Sequence, residues 1–365
     1  MRFAIASNGF AEGPAQALRD YLVARQANVV TIFHPLTPEQ GTRHVITTYA
    51  DGRRVAERSV RVPLRPPLSF VLDPLVPPLP PAVDAWFGFN PLACARGLVA
   101  RSHGRARFVA LWSVDFVPDR FGRGTLATRL YDRLDRLCCE RADARLELSE
   151  AARAARNARH GLAADGAHIV PMGAWVDRVP TTAADAFQRR RVVFLGHLVE
   201  RQGVDTLLEA LARSDDVHAE IIGTGPLESD LRAAARSLDV TFHGYIDDHR
   251  EVERILAGCS LAIAPYRRSD ESFTRYADPG KLKAYVAAGL PIMLTDVPPN
   301  AGELARDAGA EIVDDDPTAI AAAISRALAS PEDWAKRRAA ALAYARRFDW
   351  NALLDELLQK LGLRT

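Results

Sequence analysis

Val192-Val193-Phe194-Leu195-Gly196-His197-Leu198-Val199-Glu200-Arg201-Gln202-Gly203-Val204-Asp205 decides the fold. A short apolar run stops at a glycine, a polar loop follows, and a second glycine opens a helical pattern that continues to Arg213. An apolar run this short and rich in β-branched residues reads as a buried strand, and the periodic segment after it as a covering helix. The same unit recurs downstream. Strand candidates at His218 to Ile222, Val240 to His243, Leu261 to Ala264, Pro291 to Leu294 and Glu311 to Val313 alternate with helix candidates. The helices are Leu227 to Ser237, Glu251 to Ala257, Lys281 to Ala288, Ala301 to Ala308 and Pro317 to Leu328. Strands that alternate with helices build a parallel sheet covered on both faces.

Upstream, Phe3 to Ala6, Ala15 to Arg25 and Val29 to Phe33 form a βαβ opening around the loop Ser7 to Pro14. Further strand candidates lie at Val45 to Thr48, Ala85 to Gly88 and Phe108 to Trp112, and helix candidates at Thr125 to Ala142 and Glu150 to His160. The prolines from Pro74 to Pro81 read as a rigid extended connector. The polar, proline-bearing segment Arg178 to Arg190 has no period, so the domain boundary is placed at its start. The fold class is therefore α/β, with two tandem Rossmann-like domains at 1–176 and 177–348. The cleft between them should be lined by the carboxyl ends of the strands.

Composition agrees. A chain of 365 residues that is 48% hydrophobic exceeds what one core serves, and a net charge of +1 lacks the basic excess of a general nucleic-acid binder. The four cysteines, Cys94, Cys138, Cys139 and Cys259, show no metal-ligand spacing, and no histidines sit in HExxH or a paired ligand spacing. No metal site is expected. With no apolar run long enough for a signal core or a membrane span, the expected setting is cytoplasmic.

Three segments could carry chemistry. In Asp278-Pro279-Gly280-Lys281-Leu282, Asp278 suits an N-cap, Pro279 the first helical position, and Gly289 the helix end. The first-turn amides, with Leu282 among these residues, and the dipole would receive a diphosphate that Lys281 also reaches; the plain alternative is a well-capped structural helix. In the opening stretch, Gly196, His197 and Arg201 sit at a strand end, where an arginine fork suits phosphate, or else Arg201 is a solvated loop residue. Gly223-Thr224-Gly225-Pro226-Leu227 lies between a strand and a helix but lacks the third glycine of a dinucleotide fingerprint, so Gly223 serves a close backbone approach. Tyr245 either stacks on a nucleobase or packs on its own loop.

In order and spacing these motifs resemble the GT-B retaining glycosyltransferases, in particular the group-4 family that uses nucleotide sugars. Phe194-Leu195-Gly196-His197-Leu198 with Gly203-Val204-Asp205 is similar to "G-R-L-x-x-x-K-G-V-D". Ile222-Gly223-Thr224-Gly225-Pro226-Leu227 matches "G-x-G-P-L", Ala287-Ala288-Gly289-Leu290-Pro291 matches "A-x-G-x-P", and Val170-Pro171-Met172-Gly173-Ala174 resembles "V-P-N-G-V". The resemblance implies a donor sugar nucleotide held by the second domain and a glycan or lipid-linked acceptor held by the first. It also implies hexosyltransferase-like transfer with retention, without resident metal or cofactor, and a last helix at 349–365 that packs back on the first domain.

Where the family has Arg, this chain has His197; where it has Lys, it has Gln202, with Arg201 beside it to take the role. The family glutamate that holds the ribose falls on Ala284. Its acidic partner falls on Tyr276, with Asp278 or Glu271 as substitutes. Gly13 resembles the glycine of the family's diphosphate loop, or belongs to an ordinary βα turn. Asp115 follows a strand where relatives place a sugar-contacting histidine, or it pairs with Arg120. Two rival readings are a GT-B sugar-nucleotide epimerase and a catalytically silent nucleotide-sugar-binding subunit. An ordinary dehydrogenase is disfavoured, because the first βα turn lacks the glycine fingerprint.

The helix candidate at 125–142 carries Leu126, Leu130, Leu134 and Leu137 together with Arg129, Arg133, Arg136 and Arg141. This pattern suits either a core helix with a solvated face or a peripheral contact with anionic lipid at the inner face of a membrane.

Overall fold

A computed structural model describes residues 1–9, 13–36, 40–66, 68–73, 81–180, 185–269 and 273–364. The prolines Pro74 to Pro80, the middle of the first βα loop (Phe10 to Glu12) and Glu271 lie outside them. The chain divides into two compact units, Met1–Pro171 with Leu353–Thr365, and Met172–Ala352.

The first unit runs β1 (Arg2–Asn8), α1 (Pro14–Ala24), β2 (Asn28–His34), β3 (Arg43–Ala50), β4 (Arg53–Arg61), β5 (Val83–Gly88), α2 (Pro91–Ser102), β6 (Ala106–Ser113), α3 (Leu126–Arg141), β7 (Ala144–Glu147), α4 (Glu150–His160) and β8 (His168–Ile169). Its sheet has the order β4-β3-β2-β1-β5-β6-β7-β8. Phe3, Ala4, Ile5 and Ala6 of the central β1 are wholly buried, as an apolar run covered on both faces must be. Asn90, Thr125 and Ser149 cap α2, α3 and α4 through their side chains, and a left-handed Gly161 ends α4.

The first sheet departs from the plain alternation at one edge, where β2, β3 and β4 pair antiparallel. Asp51 and Gly52, both at positive φ, make the tight turn between β3 and β4. The sequence reading omits β4 because almost all of Arg53–Arg61 is exposed and five of its nine residues are charged, with no apolar period to detect. Those charges also protect a sheet edge from pairing with another chain.

The second unit runs β9 (Arg191–Leu195), α5 (Val204–Leu211), β10 (His218–Ile222), α6 (Glu228–Ala234), β11 (Val240–Gly244), α7 (His249–Ala257), β12 (Leu261–Ala264), α8 (Gly280–Ala287), β13 (Ile292–Leu294), α9 (Ala301–Asp307), β14 (Glu311–Ile312), α10 (Pro317–Ala327), α11 (Pro331–Ala345) and α12 (Trp350–Lys360). All its strand pairs are parallel, in the order β11-β10-β9-β12-β13-β14. The chain builds outward from β9 to β11 and then returns to the other side of β9 as β12. The carboxyl ends of β9 and β12 are therefore the switch point, where open α/β sheets bind ligands. Val192, Phe194, Leu207, Ile221, Ile263 and Ile324 fill the core beneath it, each contributing about 1.5–3 kcal/mol. Beyond Ala352, α12 belongs to the first unit, where Leu354, Leu357, Leu358 and Leu363 are buried and the Tyr21 hydroxyl donates to Asp355.

Candidate functional site

Three glycines bring the loops at the switch point together. The Gly196 amide donates to the Ile222 carbonyl, Leu198 to Thr224, and Gly223 to Gly244, so backbone bonds join the ends of β9, β10 and β11. A Cβ on Gly223 would sit 1.9 Å from the Gly196 oxygen, and one on Gly203 1.8 Å from the Pro265 oxygen just past β12. Both residues have positive φ, so glycine is required for conformation as well as space.

Helix α8 is tied to the same place. Its Tyr285 hydroxyl accepts from the Leu195 amide at 2.7 Å, and its Lys281 donates from Nζ to Gln202 Oε1 at 2.5 Å. Lys281 Nζ also lies 4.3 Å from the ring centre of Phe194 and 4.4 Å from that of Tyr266. Arg201 stacks its guanidinium 4.6 Å above the Phe273 ring, and its buried Nε has no hydrogen-bond partner among the described residues.

This cluster has one sign of charge. Asp205 pairs with Arg267 and Asp278 with Lys283, yet among the described residues no carboxylate pairs with Lys281, Arg201 or His197. Burial, reinforced by Arg201, holds the Lys281 ammonium well below the ordinary lysine range. The same two causes lower His197, and burial lowers Arg201, whose guanidinium still stays charged. Lys281 and Arg201, with no carboxylate paired to them among the described residues, form a site suited to a polyanion.

The expected helix start needs correction. Pro279, in extended conformation, is the cap residue, and α8 begins at Gly280 without a side-chain cap. Asp278 instead accepts from the Met172 amide and from Asn300, and pairs with Lys283 at 3.2 Å, because the Pro279 backbone turns its carboxylate away from the helix. Burial raises the Asp278 carboxyl, and Lys283 and Met172 oppose the shift. The Leu282 amide is already bonded to the Pro279 carbonyl at 3.0 Å and its side chain is wholly buried, so Leu282 offers no ligand contact in this arrangement. A Cβ on Gly280 would meet Met172 at 2.8 Å.

Of the other expected site residues, Tyr245 is 61% exposed just past the left-handed Gly244. Gly13 lies in the first unit in extended conformation before Pro14, and a Cβ there would meet nothing nearer than 3.8 Å. Asp115, also in the first unit, is 2.6 Å from Arg120, as the ion-pair alternative has it. Sequence reasoning missed Tyr266, Phe273 and Tyr285, which shape the cationic cluster. Aromatic residues scattered over the segment just past β12, a short turn and α8 leave no local pattern.

The fold is that of the GT-B glycosyltransferases. Residues 189–330, which hold this cluster, match the family model described as Glycosyl transferases group 1. Among solved structures, Alr3699/HepE of Anabaena in complex with UDP aligns over 99% of this chain and 100% of its own, at 15% identity and a TM-score of 0.70. The same Anabaena protein with UDP-glucose aligns over 99% of each chain at 14% identity and 0.70. Sucrose-phosphate synthase of Thermosynechococcus elongatus aligns over 99% of each chain at 16% identity and 0.73. No curated protein sequence matches the chain.

Proposed function

We propose that this protein is a glycosyltransferase that moves a sugar, with retention, from a nucleotide diphosphate sugar to a glycan or lipid-linked acceptor. The observation that carries the proposal is the proximity of Arg201 and Lys281 at the switch point of the second unit, with no carboxylate paired to either among the described residues. A group 1 match over the same residues and a UDP-bound structure of the same fold support a nucleotide donor. Breaking the bond between sugar and phosphate leaves negative charge on the departing diphosphate. Lys281, Arg201 and the uncapped start of α8 stabilise that charge, a task worth factors of about 10²–10³ in rate per donor. The leaving phosphate then takes the acceptor's proton, so neither a protein base nor a metal on the diphosphate is required. Asp115 and Gly13 of the first unit serve acceptor binding in this reading.

A lipid-linked acceptor is supported by the surface of α3. Leu126, Leu130 and Leu137 are 69%, 54% and 44% exposed on one face, with Arg129, Arg133 and Arg136 exposed around them. Among the described residues no helix is long and apolar enough to cross a membrane, so any lipid contact of α3 is peripheral.

The test is a thermal-shift series with uridine, guanosine and thymidine diphosphate sugars, followed by turnover with the best binder. Saturation at about 100 times Kd should add about 2.7 kcal/mol to the stability. Lys281→Ala should lose that shift and about a hundredfold or more in turnover while the free variant melts normally. A variant that binds and turns over like the parent would remove Lys281 from the site.

A further inference from the structure

The first unit contains a cluster that the transfer chemistry does not use. His34 ends β2 and His44 is the second residue of β3, and the antiparallel register that pairs Phe33 with Val45 makes the two histidines the next cross-strand pair. Their Nδ1 atoms are 2.5 Å apart. Asp73, from the segment after the 3-10 turn Leu68–Val71, places Oδ1 at 3.7 Å from each of them. All three side chains are at most 1% exposed.

From these positions we infer that His34 Nδ1, His44 Nδ1 and Asp73 Oδ1 form a structural binding site for one zinc ion.

Unsatisfied atoms support the assignment. Asp73 Oδ2 accepts from Asn8 Nδ2 at 2.7 Å, and Asn8 is held in turn by Asn90, so the carboxylate is fixed with Oδ1 directed at the histidines. Among the described residues Asp73 Oδ1, although buried, has no hydrogen-bond partner. Two neutral imidazoles facing each other through Nδ1 can share only one proton, and their 2.5 Å spacing is shorter than the usual range for a nitrogen donor of about 2.7–3.2 Å. A cation would engage all three donors at once. Zinc binds nitrogen and oxygen at about 2.0–2.2 Å, so tetrahedral ligand atoms stand about 3.3 Å apart. Small side-chain rotations that part the nitrogens and draw in the oxygen reach that geometry. Two imidazoles and one carboxylate suit zinc, whereas calcium and magnesium take oxygen donors.

Arg96 is the opposing charge. It donates to the Asp73 main-chain carbonyl at 3.2 Å, and its Nη1 is 3.5 Å from His34 Nε2, so the ion requires an ionised Asp73 to balance it. A bound ion would fasten the β2–β3 pair to the segment at 68–73, in the manner of a closed site that adds to folding stability.

The experiment uses the full chain, freed of any affinity tag, with metal content read by mass spectrometry. The EDTA-treated protein is then titrated with zinc sulfate while melting is followed. One zinc per chain and a zinc-dependent rise in Tm are expected. Asp73→Asn, which keeps the shape and the Asn8 contact, should bind at least tenfold more weakly and lose the rise. The Tm shift with a nucleotide sugar should persist in that variant, which separates this site from the second unit. No zinc uptake by the treated parent, an X-ray absorption spectrum showing sulfur ligands, or an Asp73→Asn variant that binds like the parent would each overturn the assignment.

Discussion

Lys281 shows what a single residue contributes to this surface. Its ammonium sits among Phe194, Tyr266 and Gln202 beside Arg201, so its charged form is poorly solvated and, among the described residues, has no carboxylate partner. In the proposed donor complex a diphosphate would supply a counter-charge and raise the lysine's affinity for its proton. Binding should therefore take up a proton at pH values between the depressed value of the free site and the higher value of the complex. Across that window donor affinity falls as pH rises, and calorimetry in buffers of different ionisation enthalpy should show proton uptake that Lys281→Met abolishes. The stability of the free protein runs the other way: the unfolded chain holds the lysine proton more tightly, so stability rises with pH over the same window. Gly223 sets a steric limit of another kind. Gly223→Ala forces a Cβ against the Gly196 oxygen at positive φ and should cost about 2–5 kcal/mol. Gly104→Ala, equally left-handed but with nothing within 4 Å, should cost only about 1 kcal/mol. Thermal melts of the pair separate crowding from backbone strain.

Among the elements, α3 is inverted relative to an ordinary surface helix. Thr128, Asp135 and Cys138 face inward, with Leu134 packed against the core, and Asp135 is bound by Arg156 and His160, while Leu126, Leu130 and Leu137 face out. A buried polar face needs those partners, because an unpaired buried carboxylate is far costlier than an exposed leucine. Leu130→Glu should leave stability within about 0.5 kcal/mol. It should also abolish co-sedimentation with anionic vesicles at low salt; retention of the variant on the vesicles would remove α3 from any membrane contact. Amphipathic periodicity alone showed that α3 has two faces. Which face turns inward depended on Arg156 and His160 of α4, which no periodicity reveals.

On the scale of the whole molecule, the last residues complete the first unit rather than the second. Leu354, Leu357, Leu358 and Leu363 bury their side chains there, and Asp355 receives the Tyr21 hydroxyl from α1. Leu357→Ala should destabilise that unit by about 2–5 kcal/mol. The melting of the first unit should fall while the nucleotide-induced shift, which the proposed donor site assigns to residues of the second unit, is retained. A loss of nucleotide binding in this variant would contradict the independence of the two units in donor recognition.

The alternation of apolar runs and helical periods was legible from the chain alone, because burial on both faces of a parallel sheet imposes it strand by strand. Glycines at strand ends were legible too, since left-handed turns and close backbone approaches exclude other residues. The sequence thus determined the α/β class, nearly all the strands of the second unit, and Arg201 and Lys281 as candidates. Long-range contact decided the rest. Pro279 turned Asp278 from its expected capping role to Met172 and Lys283, and Tyr266 and Phe273 came to Lys281 and Arg201 from separate segments. Antiparallel pairing of β2 and β3 brought His34 and His44 together and left Asp73 to meet them. Local patterns report which residues must be buried; which buried polar groups meet is set by strand order and register, and those exist only once the chain has folded.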